Sequence, residues 1–222
     1  MRVALYGATG MIGSGVLREC LLDPEVREVV AIGRRASGKS APKLRELTLP
    51  NMLDYTSVHG QLVGFDACFF CLGISSLGLD EPRYTEVTYE YAMAAAHALL
   101  QHNPELTFVF VSGAGTDSTE RGPVMWARVK GKAENALMAL PFKAVYVFRP
   151  AAVQPTHGVR SRTTSYRVLY ALMAPLVPVL RRLFPKYFTT TDTVGRAMLR
   201  VARQGADKRL LENWDIDQLG RA

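Results

Sequence analysis

Arg2-Val3-Ala4-Leu5-Tyr6-Gly7-Ala8-Thr9-Gly10-Met11-Ile12-Gly13 is the stretch on which the reading of this chain turns. Residues 2–6 form a β-rich run that stops at a glycine. Beyond Gly13 the apolar residues Val16, Leu17, Cys20 and Leu21 recur at helical spacing until Asp23-Pro24 ends them. Strand, glycine turn and helix therefore follow in direct succession. Gly7, Gly10 and Gly13 have GxxGxxG spacing, which lets backbone N–H groups approach an anion and sets it at the positive end of a helix. Glycines also end strands for purely local reasons. With a strand before and a helix after, the pattern points instead to a pyrophosphate cradle.

Working outward, apolar runs at Glu28–Ile32, Leu44–Leu49, Ala67–Leu72, Thr107–Val111 and Lys143–Phe148 read as further strands, several too continuously apolar for a surface position. Between them lie a helical stretch over Glu81–Gln101, ended by Asn103-Pro104, and another over Val124–Ala139. Crossovers in place of tight turns imply a parallel sheet with helices on both faces, an α/β doubly wound Rossmann arrangement. Past Arg149 the chain changes character, with a polar loop, an apolar stretch broken by Pro175 and Pro178, and a clean helix after Asp192. One domain over residues 1–222 is expected, with 1–149 as a dinucleotide-binding core and 150–222 as a small helical substrate or lid region.

The bulk numbers agree with this. At 222 residues, 48% hydrophobic and 21% charged, the chain can bury one core. Its net charge of +7 is spread along the sequence and accompanies no nucleic-acid motif, so a nucleic-acid partner is not expected. Cys20, Cys68 and Cys71 lie inside or at the ends of apolar segments, so they read as buried structural thiols, with neither a disulfide framework nor a metal site. Met1 leads straight into the first strand without a basic-then-apolar leader, and a cytoplasmic location is expected.

The end of the second strand selects the cofactor. An acidic side chain there would take ribose hydroxyls, whereas Gly33-Arg34-Arg35 offers two guanidinium forks that match a 2′-phosphate. NADP is therefore expected ahead of NAD.

Taken with Asp54, the Cys71-Leu72-Gly73 segment, Ser112 and Lys130, the motif GATGMIG makes the chain similar to the atypical short-chain dehydrogenase/reductase superfamily, and within it to the Tat-interactive oxidoreductase-like group. The resemblance implies that Gly7, Thr9, Gly10, Met11, Ile12 and Gly13 hold the pyrophosphate, Arg34 and Arg35 the adenosine phosphate, and Asp54 the adenine edge. It implies that Cys71, Leu72 and Gly73 line the adenine ribose, and that Pro150 to Val153 lie near the nicotinamide.

The family's active site is a serine or threonine with a Tyr-x-x-x-Lys pair. Here the segment reads Trp126-Ala127-Arg128-Val129-Lys130, so the lysine is retained and the tyrosine is absent. An indole N–H can orient a carbonyl but cannot titrate as a general acid. Ser112 and Lys130 are the candidate catalytic residues, Lys130 also as a ribose ligand. Tyr84, Tyr89, Tyr91, Tyr166 and His157 are candidate replacement acids. The expected activity is oxidoreduction of a small carbonyl or alcohol, the alternative a non-catalytic NADP-binding sensor or interaction protein.

Val168–Leu180 carries no charge and is flanked by Arg160, Arg162, Arg167, Arg181, Arg182 and Lys186. It falls short of the ~20 apolar residues a bilayer span needs. Core or lid packing over the substrate site is the preferred reading, ahead of membrane-surface contact and homodimer packing.

Overall fold

The computed structural model describes residues 1–157 and 185–221. Its framework is β1 (Arg2–Tyr6), α1 (Met11–Leu22), β2 (Glu28–Gly33), β3 (Leu44–Thr48), β4 (Ala67–Phe70), β5 (Thr107–Val111) and β6 (Ala144–Arg149). These strands lie in the order β3-β2-β1-β4-β5-β6, and every neighbouring pair is parallel. The order reverses between β1 and β4. Open α/β sheets place their ligands beyond the carboxyl ends of the strands at such a reversal.

Two-residue alternation divides the strand side chains between two cores. Tyr6, Phe70, Phe108 and Phe110 pack on one face with α3 (Tyr91–Leu100) and with α4 (Met125–Met138), through Ala133 and Leu137. Val3, Leu5, Phe69, Val109 and Phe148 pack on the other with α1 and α5 (Thr191–Gln204). Each such side chain contributes about 1.5–3 kcal/mol when fully buried. That is why central strands covered on both sides read as unbroken apolar runs.

The single helix expected over Glu81–Gln101 is instead α2 (Glu81–Thr85), a wide π-type turn (Glu86–Glu90) and α3. Asp80 starts α2 by accepting the Arg83 N–H at 3.1 Å, with a proline in the first turn. Glu86, at the head of the wide turn, is held by Arg83 and by the Tyr91 hydroxyl.

Past Arg149, β7 (Ala152–Gln154) pairs with β8 (Phe188–Thr190) in a two-stranded parallel ribbon. β9 (Leu210–Glu212) adds a seventh strand beside β6, and α6 (Asn213–Arg221) follows it. Residues 188–221 thus return to the main sheet, with α5 lying along α1. The stretch Val168–Leu180, Tyr166 and the arginines flanking it lie outside the described residues. Among the described residues, no helix is long and apolar enough to cross a membrane.

Candidate functional site

The glycine turn is built by close approach. Gly7 has φ of 77°, and a Cβ on it would come within 2.7 Å of the Cys71 carbonyl and the Leu72 nitrogen. A Cβ on Gly13 would lie 2.1 Å from the Gly7 oxygen. Neither position admits a larger residue without moving backbone, because α1 must start directly against the turn. Gly10 N–H bonds Gly7 O at 2.8 Å. Gly10 caps α1 without a side-chain hydrogen bond, and the first turn carries no acidic residue. The opening N–H groups of α1 therefore meet no capping side chain, the arrangement an anion requires.

Gly7 and Cys71-Leu72 meet where β1 and β4 end side by side, so the structure brings the glycine turn and the 71–73 segment together at the point where the strand order reverses. Cys71 and Leu72 are partly buried and Gly73 faces open space. Arg34 and Arg35 are exposed just past β2. The Arg83 hydrogen bond holds the Glu86 carboxyl below the usual range, with Tyr91 and the charge of Arg34 adding to it. A phosphate at Arg34 would therefore compete with Glu86. Asp54 is exposed and accepts the Thr56 N–H at 2.9 Å; hydrogen bonding by the Thr56 side chain first, and then by this N–H, lowers its pKa.

Ser112 directly follows β5, buried, with its N–H on Phe148 O at 2.8 Å. Its hydroxyl lies 3.0 Å from that of Thr116, which donates to Gly113 O at 2.8 Å. Thr116 has one proton, so Ser112 must donate to Thr116 and keep lone pairs for a ligand. Thr116 was not legible in the sequence, since its role depends on a loop that folds back on the strand end. Ala114 N–H bonds Pro150 O at 3.0 Å, which joins this loop to Pro150. Val153 is buried in the core, so only its backbone is available to a ligand.

Lys130 lies one helical turn beyond Trp126 on α4, with Nζ 5.8 Å from the Phe110 ring centre. Phe110 lies two residues before Ser112, so Lys130 reaches over the end of the strand that leads to the serine. Burial pushes the Lys130 ammonium down to about 8, against an opposing pull from Glu134. Among the described residues, none forms a hydrogen bond with Nζ. Trp126 is partly exposed, and its Cη2 lies 3.6 Å from where Gly115 would carry a Cβ.

A buried ion pair positions this helix. Arg149 donates to both oxygens of Glu134, from Nε at 3.0 Å, and to the Ser118 hydroxyl at 2.5 Å. It ties the end of β6 to α4 beneath Lys130. Arg149 read only as the end of a strand, because its partner comes from a different element.

Of the replacement acids, Tyr84 is buried, Tyr89 lies under Lys132, and Tyr91 bonds Glu86 at 3.0 Å. Tyr166 is outside the described residues. His157 bonds Asp192 at 2.8 Å. The thiols of Cys20, Cys68 and Cys71 are free, and burial raises all three above the ordinary range, which keeps them protonated and inert.

No family model matches the chain. It is 25% identical, over 98% of its length and 96% of the other, to a Chaetomium globosum protein named "Protein FMP52, mitochondrial". With "Protein fmp-52, mitochondrial" of Neurospora crassa it shares 24% identity over 98% and 94% of the two chains. These names overturn the expected cytoplasmic location, since the relatives are designated mitochondrial. Location is addressed by receptor-read signals and does not follow from a fold. A short chain dehydrogenase family protein from Francisella tularensis superimposes with a TM-score of 0.68 at 18% identity, over 96% of this chain and 98% of that one. The Bordetella bronchiseptica enzyme WbmF, in complex with NAD+, does so with 0.70 at 13% identity, over 98% and 76%. What this chain shares with these structures is the α/β Rossmann-like fold, a parallel sheet of seven strands flanked by helices.

Proposed function

We propose that the chain is an NADP(H)-binding oxidoreductase of the atypical short-chain dehydrogenase/reductase type, acting on a small, partly apolar carbonyl or alcohol. The single observation carrying this reading is the uncapped start of α1 behind a turn that tolerates no side chain at Gly13. NAD held by a solved structure of the same fold adds support. Gly7, Thr9, Gly10, Met11, Ile12 and Gly13 would cradle the pyrophosphate, with Cys71, Leu72, Gly73 and Asp54 toward the adenosine. Arg34 and Arg35 would take the 2′-phosphate, which makes NADP the preferred dinucleotide. The narrower likeness to the Tat-interactive group belongs to the same proposal.

When bound, the dinucleotide supplies hydride at its nicotinamide. Lys130 would offer its N–H groups to the adjoining ribose, near the backbone of Pro150 to Val153. Ser112 would accept a hydrogen bond from a substrate hydroxyl, and the Trp126 N–H would orient a carbonyl oxygen without giving up a proton. Exposed Ile74, Leu77 and Val124 lie on the 71–80 loop and beside the start of α4, segments linked by the Glu81–Arg128 ion pair at 2.8 Å. They would give the entrance an apolar rim. Residues 1–149 would hold the dinucleotide and the region from 150 onward would face the substrate.

Trp126 at the usual tyrosine position favours a second reading, an NADP-binding sensor without turnover. The deciding experiment follows NADPH consumption by the purified protein and by Trp126→Tyr across a panel of aldehydes and ketones, beside direct NADPH titrations. Turnover, faster in the tyrosine variant, is expected. Binding by both proteins without consumption by either would leave the sensor reading standing.

A further inference from the structure

Four arginines meet where α5 and α6 pack together, away from the residues assigned above. Arg196, Arg200 and Arg203 recur on α5 at the spacing of one helix face, opposite the buried Val194, Ala197, Met198 and Val201. α6 brings Arg221 against them, and with Asp23, from the end of α1, they line a groove of about 440 Å³. α1 runs from the glycine turn at Met11 to Leu22, so Asp23 lies about 18 Å along the helix axis from the proposed pyrophosphate cradle, at the rise of an α-helix.

Three of these guanidiniums are held in place. Arg196 donates from Nε to the Gly220 carbonyl at 2.8 Å and pairs with Glu19 at 3.5 Å. Arg203 pairs with Asp23 and, from Nε, with Glu25 at 3.0 Å. Arg221 pairs through Nε with Asp217 at 2.7 Å. Glu19, Glu25 and Asp217 hold their arginines from outside the lining, where Asp23 is the one carboxylate among the described residues. Lys43 donates to the Asp23 carbonyl at 2.6 Å, which brings a further cation to this end of α1. Arg200 differs from the other three: half-buried in the groove, it has no hydrogen-bond or ion-pair partner among the described residues.

A basic helix face open to water needs no ligand. This one is walled by a second helix, and its paired arginines are already ordered, which lowers the entropy that binding would otherwise take from long side chains. Each guanidinium presents a planar fork of N–H donors. Forks lining one groove from two helices match the several oxygens of a tetrahedral anion, whereas a carboxylate is satisfied by a single fork. A volume of about 440 Å³ falls within the range of small-ligand sites. We propose that this groove binds a phosphate-bearing anion, with Arg200 as the uncompensated charge that receives it and Arg196, Arg203 and Arg221 as flanking donors. A phosphate ester free in solution and a phospholipid headgroup offer this same chemistry. Leu22, the residue before Asp23, is 62% exposed and would meet acyl chains in the second case. The groove stands independently of the dinucleotide reading.

Two measurements separate the sources: calorimetric titration with inorganic phosphate, and co-sedimentation with phosphatidylcholine vesicles that contain or lack phosphatidic acid. Both are made at low ionic strength, where charges near the surface are least screened. Lys132→Ala, an equal loss of charge from an exposed position on α4 across the sheet, is the control and should bind as wild type does. Arg200→Ala should bind at least about tenfold more weakly, the effect of losing one charge-assisted hydrogen bond. Because Arg200 has no described partner to lose, this variant should melt with wild type, which a thermal melt checks. A response to phosphate alone identifies a free ester, and sedimentation that requires phosphatidic acid identifies a headgroup. Failure of wild type to bind either probe would overturn the proposal. So would phosphate binding by Arg200→Ala as tight as that of wild type, which would place the anion elsewhere, or a loss no larger than that of Lys132→Ala.

Discussion

One methyl group at Gly13 would sit 2.1 Å from a backbone oxygen, so Gly13→Ala must push α1 away from the turn. Overpacking of this kind costs about 1–3 kcal/mol. The same shift would misplace the N–H donors, so NADPH affinity should fall by at least about tenfold, or 1.4 kcal/mol. Urea unfolding and NADPH titration of the variant check the two effects separately. Lys130 gives a prediction with a definite sign. Its folded pKa of about 8 is depressed, while the unfolded chain holds that proton into the ordinary lysine range. Between about pH 8 and pH 10 the unfolded state therefore binds more protons, and stability rises with pH; below about 8 the folded state carries the full cost of a desolvated ammonium. Lys130→Met should accordingly be more stable than wild type at neutral pH, and the advantage should shrink toward pH 10. Urea midpoints at the two pH values test this, and an advantage independent of pH would contradict it.

At the level of elements, α4 is fixed to the sheet by an ion pair invisible to periodicity. Glu134 is fully buried and Arg149 nearly so. Removing one member of a buried pair leaves the other charge uncompensated, at about 3–5 kcal/mol. Glu134→Gln should fall at the lower end, since Glu212 remains 3.4 Å from Arg149, and the loss is read from a denaturant melt. The elements that were legible are those with a full period to read. β1, β2, β5 and α1 begin or end within a residue or two of expectation, because continuous apolar runs bounded by Gly, Asp-Pro or Asn-Pro leave little choice. β9 was missed because Leu210–Glu212 is too short to display alternation and becomes a strand only by pairing with β6. The π-type turn was missed for a related reason, since its hydrogen bonds differ from those of a helix while its side-chain pattern does not.

For the whole molecule, the seven-stranded sheet sets Arg34, the glycine turn, Ser112 and Lys130 along the edge formed by the carboxyl ends of the strands. Saturation of the proposed site should stabilise the fold as a unit. NADPH at about 100 times its Kd should raise unfolding free energy by about 2.7 kcal/mol. Arg34→Ala with Arg35→Ala should reduce this shift for NADPH much more than for NADH in thermal melts at matched concentrations. Equal losses would argue against the 2′-phosphate assignment. The sequence by itself determined the fold class and marked the glycine turn, because hydrophobic period and the conformational freedom of glycine are local properties that can be read without knowing a partner. It also put Trp126, four residues before Lys130, where the resemblance leads one to expect a tyrosine. Only the tertiary structure decided that Ser112 donates inward to Thr116, that Arg149 and Glu134 lock α4, and that His157 meets Asp192 beside α1. Those facts depend on which elements are brought within hydrogen-bond reach, and residues far apart in the chain carry no local mark of the partner that folding will give them.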